Sequence, residues 1–184
     1  NDNGSNVGIY KTADLGNTWT PVTSPTAAAY SYWFGRIKID PTDPAILYLI
    51  DFDLHKSTDG GITWNVLTSS VHPDQHEVYI HPLNNNFVLL GNDGGFHISN
   101  DGGNTWTHDE TLPITQFYTC EMDEQFPFVL YGGAQDNGVI NTQTGNFNDW
   151  ANIWYGDGFG VLVDPNDPLQ VYAESQYGDL NMGT

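Results

Sequence analysis

The 184 residues carry 4 Lys and Arg against 23 Asp and Glu, a formal charge of -19, with 39% hydrophobic and 14% aromatic residues. That apolar share supports a packed core and argues against disorder, while the acidity repels nucleic acid and anionic membrane and favours cations or basic partners. No run approaches the ~18 apolar residues of a membrane helix, and no basic, apolar, small-residue signal opens the chain, so the protein is cytosolic or a leader has been removed or lies outside these residues. Scarce Lys, abundant Asn and Thr, and the acidity together point to an extracellular or cell-surface setting.

In chain order, the first marker is a Ser/Thr-x-Asp-x-Gly-x-Thr-Trp box at Thr12, Asp14, Gly16, Thr18 and Trp19. A strand follows from Phe34 to Asp40, then the turn Asp40-Pro41-Thr42-Asp43-Pro44 and a second strand from Ile46 to Ile50. The next box is Ser57, Asp59, Gly61, Thr63 and Trp64. The order then repeats: strand His76 to His81, turn His81-Pro82, strand Phe87 to Leu90, box Ser99, Asp101, Gly103, Thr105 and Trp106. A third round has strands Phe117 to Asp123 and Phe128 to Tyr131, with a degenerate box at Asn141-Thr142-Gln143-Thr144-Gly145 ahead of Trp150. A fourth opens with Phe159 to Asp164 and Gln170 to Ala173.

The box Asp residues are 45 and 42 residues apart and the turns 41, 42 and 41 apart, a period that belongs to propeller blades. No stretch has a helical apolar period, so the chain reads as all-β, a β-propeller of four-stranded antiparallel blades. Each blade is strand A, strand B, strand C running into the box, and strand D leaving it from the Trp. The blades fall at roughly 1–24 (partial), 34–70, 76–110, 117–155 and 159–184 (partial), about four blades in one domain over 1–184. Both ends break a blade, so this reading expects a larger propeller whose remaining blades come from the same polypeptide.

At these boxes the sequence resembles the Asp-box (bacterial neuraminidase repeat) propellers, which include sialidases, xyloglucanase-type hydrolases, sortilin-type receptors and photosystem assembly factors. His72-Pro73-Asp74-Gln75-His76, Gly91-Asn92-Asp93-Gly94-Gly95, Gly132-Gly133-Ala134-Gln135-Asp136-Asn137-Gly138 and Gly156-Asp157-Gly158 are similar to motifs of secreted glycosyl-hydrolase-like repeat proteins. Asp14, Asp59 and Asp101 read as structural, bonding the backbone of a tight turn whose Gly takes a positive φ, with Trp19, Trp64 and Trp106 wedged between sheets. Many activities share such a fold, so function must come from the site.

Up-and-down strand order puts the A-to-B turns and boxes at one end of each sheet and the B-to-C and D-to-A loops at the other. The unusual motifs all fall at the second end. Asp157, Asp136 and Asp93 are the candidate catalytic carboxylates, Asp157 as a general acid between flexible glycines and aromatics, with Asp136 kept ionised. Trp33, Trp154, Tyr155, Tyr177 and Gln135 are candidate substrate contacts, Tyr30 and Tyr32 standing beside Trp33. Each of these Asp residues has a plainer reading as a turn-former bonding its own backbone.

His72, Asp74 and His76, spaced i, i+2 and i+4, share one side in extended chain and could hold a transition metal, with Asp93 or Asp136 added from adjacent loops. Calcium or another divalent cation on the Asp carboxylates is the alternative, and a polar loop without any ion is the plain one. The single cysteine, Cys120, reads as a buried strand residue beside Tyr118 and Met122.

A sialidase holds its substrate carboxylate with several arginines, and this chain has Arg36 alone. Two functional classes therefore remain. One is carbohydrate-directed, glycoside-hydrolase-like or glycan-binding, with a polysaccharide as partner. The other is a non-catalytic, sortilin-like propeller that binds protein or builds a surface structure. Paired carboxylates in an aromatic-lined groove would favour the first; loops closed on themselves would favour a structural or binding role.

Overall fold

A computed structural model of the chain describes residues 8–25, 34–112, 114–146 and 148–183. The chain is all-β, with seventeen strands and one 3-10 turn among the described residues. β1 (Ile9–Lys11) and β2 (Thr20–Val22) form a two-stranded sheet. β3 (Arg36–Ile39), β4 (Leu47–Ile50), β5 (Leu54–Ser57) and β6 (Asn65–Val66) form a four-stranded meander. β7 (Gln75–Ile80), β8 (Val88–Asn92), β9 (Gly95–Ser99) and β10 (Thr107–His108) form a second. β11 (Phe117–Met122), β12 (Leu130–Ala134), β13 (Gly138–Thr142) and β14 (Trp150–Trp154) form a third. β15 (Val161–Val163), β16 (Val171–Ser175) and β17 (Asp179–Gly183) form a three-stranded sheet, with a 3-10 turn, Gln176–Gly178, before β17. All pairings are antiparallel between sequence neighbours, which is the build of a β-propeller blade.

The chain divides into two compact units, Asn1–Leu112 and Pro113–Thr184. In the first, the core is Tyr48, Ile50, Leu54, Val78, Ile80, Val88 and Leu90, where β7 packs on β4. The inner strands supply this cluster because β4 and β8 are flanked by partners on both edges and read as apolar runs. In the second, Tyr131, Val139, Val161 and Ala173 form the core, where β15 packs on β11 and β12.

The three boxes repeat one local hydrogen-bond pattern. Ser57 Oγ donates to Asp59 Oδ1 (2.8 Å) and accepts from Gly61 N (2.8 Å), while Thr63 N (2.9 Å) and Thr63 Oγ1 (2.6 Å) donate to Asp59. Thr12, Asp14, Gly16 and Thr18 repeat this, as do Ser99, Asp101, Gly103 and Thr105. Gly61 has φ 91°, and a Cβ there would stand 2.4 Å from Val22 of the preceding sheet, so glycine is required twice over.

The Trp residues divide. Trp64 Nε1 donates to Thr23 O (2.8 Å) and Trp106 Nε1 to Leu67 O (3.1 Å), each reaching the preceding sheet as expected. Trp19 instead donates to Gly16 O of its own turn (3.1 Å) and is 59% exposed. The A-to-B turns are also built locally: Asp40 Oδ1 accepts Thr42 N (2.7 Å), Asp123 Oδ1 accepts Gln125 N (2.8 Å) and Asp164 Oδ1 accepts Asn166 N (2.8 Å).

The degenerate fourth box is a box with two residues exchanged. Thr142 Oγ1 accepts Gly145 N (2.9 Å) in the role of Ser57. The carboxylate, however, is Asp149, next to Trp150, where the other boxes have Thr; it accepts from Thr142 Oγ1 and from Thr144 N and Oγ1, while Thr144 stands where they have Asp. One further difference corrects the sequence reading: Cys120 is exposed. It lies on β11, an edge strand of its sheet, where most residues stay in solvent.

Candidate functional site

In every sheet the B-to-C and D-to-A loops lie at the end opposite the boxes, as antiparallel order dictates. In the first unit this end is organised by Gln75, which is fully buried. Gln75 Nε2 donates to His72 O (2.6 Å) and Phe52 O (3.3 Å), and Asn92 Nδ2 donates to Gln75 Oε1 (3.2 Å) and His72 O (2.9 Å). One side chain thus ties together the β4–β5 loop, the loop before β7, and the β8–β9 turn. Sequence reading passed over it as a spacer between the two histidines.

The expected ligand set of His72, Asp74 and His76 is drawn apart. His72 Nδ1 donates to Pro73 O (3.0 Å), and His76 Nε2 donates to Asp93 Oδ1. The Phe34 ring lies 5.8 Å from that of His76. Asp74 has φ 64°, so the motif bends at its centre and its alternate side chains do not share a side. Extended geometry, on which the shared-side expectation rested, does not hold through Pro73 and Asp74. Asp74 does bring a carboxylate oxygen within 4.8 Å of one from Asp93, an oxygen pair to which a hard cation such as calcium could bind.

In the second unit the end is organised by Asp157. Its Oδ1 accepts Asp136 N (2.7 Å) and its Oδ2 accepts Gln176 Nε2 (2.9 Å), so the carboxylate clasps the β12–β13 turn on one side and the 3-10 turn on the other. The surrounding glycines are close-packed rather than flexible. A Cβ on Gly133 would stand 2.0 Å from Phe159 O, and one on Gly158 would stand 2.0 Å from Gly138 O. The motifs that read as a mobile rim are therefore where loop backbones press together.

Aromatic residues surround this clasp. Trp154 ends β14 half in solvent, Tyr155 is 80% exposed, and Tyr177 is fully exposed at the tip of the 3-10 turn. Tyr177 has φ 66° and ψ 17°, a left-handed conformation that costs a side chain of this size about 1 kcal/mol or more. Gln135 is half-buried, its N–H donating to Gln116 O (3.0 Å). Tyr118, on β11 with Cys120 and Met122, belongs here as well. Its ring stacks on Phe159 at 4.9 Å and 4°, and burial, with the Asp157 and Asp136 charges, pushes its phenol above the ordinary tyrosine value. Trp33, with Tyr30 and Tyr32, lies outside the described residues.

No family profile matches the sequence, and no curated protein matches it. Solved structures do match. The GH74 enzyme of Niastella koreensis is 23% identical over 90% of this chain, with a TM-score of 0.49, and the GH74 xyloglucanase from Xanthomonas campestris is 16% identical over 91%, with a TM-score of 0.42. YCF48 bound to D1 peptide matches 98% of this chain and 73% of its own length, at 14% identity and a TM-score of 0.41. This chain spans 29% of the Niastella koreensis enzyme and 32% of the Xanthomonas campestris one.

Proposed function

We propose that the protein is an extracellular Asp-box propeller that binds a neutral glycan on Trp154, Tyr155 and Tyr177, at the loop end opposite the boxes. The observation that carries this reading is Tyr177, a ring held fully in solvent by a strained backbone, with no packing gain to offset the strain. Exposed rings of this kind suit the apolar faces of pyranose sugars. The Asp157 clasp holds the loops bearing Tyr155 and Tyr177 together, which pre-organises them before a ligand arrives. Residues 113–184 contain acids but no Lys, Arg or His, so an anionic sugar finds no counter-charge in this unit.

Binding is favoured over hydrolysis because both oxygens of Asp157 are already engaged as acceptors, which leaves it poorly suited to hand a proton to a glycosidic oxygen. Titration calorimetry with neutral β-glucan oligosaccharides, xyloglucan fragments among them, tests this. Tyr177→Ala is expected to weaken binding roughly 3- to 10-fold, the scale of one aromatic contact, without lowering the melting temperature. Absence of heat with every neutral glycan, or release of reducing ends by the native chain, would refute it. The latter would return Asp136 and Asp93 as catalytic candidates, and capture of a protein partner alone would favour the sortilin-like alternative.

A further inference from the structure

None of the six histidines takes part in the sugar reading, and three of them, His72, His97 and His108, come together in the first unit. In the sheet β7–β10, Val78, Leu90, His97 and His108 are direct cross-strand partners and so share one face. Val78 and Leu90 belong to the cluster that packs on Tyr48, Ile50 and Leu54 of the neighbouring sheet, so the two imidazoles lie on that face, His97 buried and His108 exposed on the outer strand. His97 is 7% exposed and its Nε2 is fully buried with no hydrogen-bond partner. The His108 ring stacks on it at 4.7 Å and 27°.

The charges acting on His97 are themselves imidazoles, His108 and His72, and His72 sits against the β8–β9 turn, its Cβ 2.3 Å from where a Gly94 Cβ would be. Carboxylates on the packed elements have hydrogen-bond partners of their own, and Asp109 also faces the His108 charge. Asp53 accepts from Thr68 Oγ1 (3.2 Å), Asp93 from His76, Asp109 from Thr111 Oγ1 (2.6 Å), and Asp51 Oδ1 from Phe52 N (2.8 Å). Asp74, whose φ is positive, stands on the loop that carries His72, its carboxylate beside that of Asp93. His55, on β5, is half-buried, with Asp53 and Asp51 as its counter-charges. A proton added to His97 would place a cation on a ring whose Nε2 is buried with no acceptor, packed against a second imidazole.

We propose that the stacked His97–His108 pair is an acid-sensitive lock between the sheets β3–β6 and β7–β10, closed while His97 is neutral and opened by its protonation. Burial, then His108 and His72, hold the His97 imidazolium below its ordinary 6.5 in the folded chain. The unfolded state therefore takes up the proton first. The lock contributes fully above about pH 6.5 and is lost as pH falls from there towards the lower folded value.

Amide hydrogen exchange between pH 7.5 and 5, corrected for intrinsic rates, tests the lock on the native chain and on His97→Phe, which keeps a stacking ring without a proton site. In the native chain, opening of β7–β10 should rise by up to tenfold per pH unit below 6.5, the limit for one proton. β11–β14, in a unit without histidine, serves as the internal control and should not respond. His97→Phe should abolish the response, and His108→Gln, which removes the stacked second charge, should reduce it and covers the case in which the first variant fails to fold. Equal responses in all three proteins, no opening above pH 5, or parallel opening in β11–β14 would overturn the proposal. Stabilisation by micromolar nickel or zinc at pH 7.5 that needs His97 would also overturn it, by making the pair a metal site.

Discussion

Asp157 separates a structural role from a catalytic one. Replacing it by Ala deletes two hydrogen bonds to a carboxylate, from Asp136 N (2.7 Å) and Gln176 Nε2 (2.9 Å), in a half-buried position. Bonds to charged groups are worth about 1.5 to 3 kcal/mol each, and partial exposure favours the lower end, so Asp157→Ala should cost about 2 to 4 kcal/mol. With a urea slope of about 1 to 3 kcal/mol per molar, the unfolding midpoint of this unit should fall by about 1 to 2 M. Asp157→Asn is the informative companion. Its carbonyl can still accept from Asp136 N, and Gln176 can turn its amide to accept from the new NH2, so its cost should stay within about 1 kcal/mol. Fluorescence of Trp150 and Trp154 and exchange in β12 and β16 report the transition. An unchanged midpoint for Asp157→Ala would refute the clasp, and an Asn variant that folds normally yet loses a measured hydrolytic activity would restore the catalytic acid.

Hydrogen bonds, first those from Thr side chains and amides, lower Asp14, Asp59 and Asp101 from 3.8 to about 2, so their contribution is present above about pH 3.8 and lost as pH falls through about 2. Circular dichroism on the His97→Phe, His55→Phe double variant, in which both lowered histidines are removed, should show acid unfolding only in that lower range; completion above pH 4.5 would contradict it. Gly133→Ala should destabilise by about 3 kcal/mol or more, because the neighbour 2.0 Å from the new Cβ is the backbone oxygen of Phe159, which has little room to move. A melting temperature within a degree of the native one would refute that close approach. Asp149→Ala should lower the melting temperature by a margin similar to Asp59→Ala, whereas replacing a plain loop residue would leave it unchanged, so an unshifted melting temperature for Asp149→Ala would refute the exchanged box.

The sequence alone determined what is local. Each box closes through bonds between residues two to four positions apart, as from Ser57 to Asp59 and from Thr63 to Asp59, and each A-to-B turn through bonds two or three apart, so residue type and spacing carry the whole geometry. From those signals the strand order and the two ends of each sheet follow. The swapped fourth box lies at the edge of that legibility, since its acid is five residues from Thr144 and on the opposite limb of the turn.

Tertiary structure decided everything whose partner is distant. Whether Asp157 is an acid or a clasp depends on Asp136 and Gln176, 21 and 19 residues away, and a carboxylate's role is set by what meets its oxygens. Whether Gly133 gives flexibility or close packing depends on Phe159. Gln75 reads as a spacer until Phe52, 23 residues before it, is brought to its amide. The alternation that puts His72, Asp74 and His76 on one side does not run through Asp74, which takes a left-handed φ while its N bonds to the distant Phe52 O (2.9 Å). His97 and His108 carry no sequence signal at all, because burial and cross-strand pairing are properties of the folded sheet.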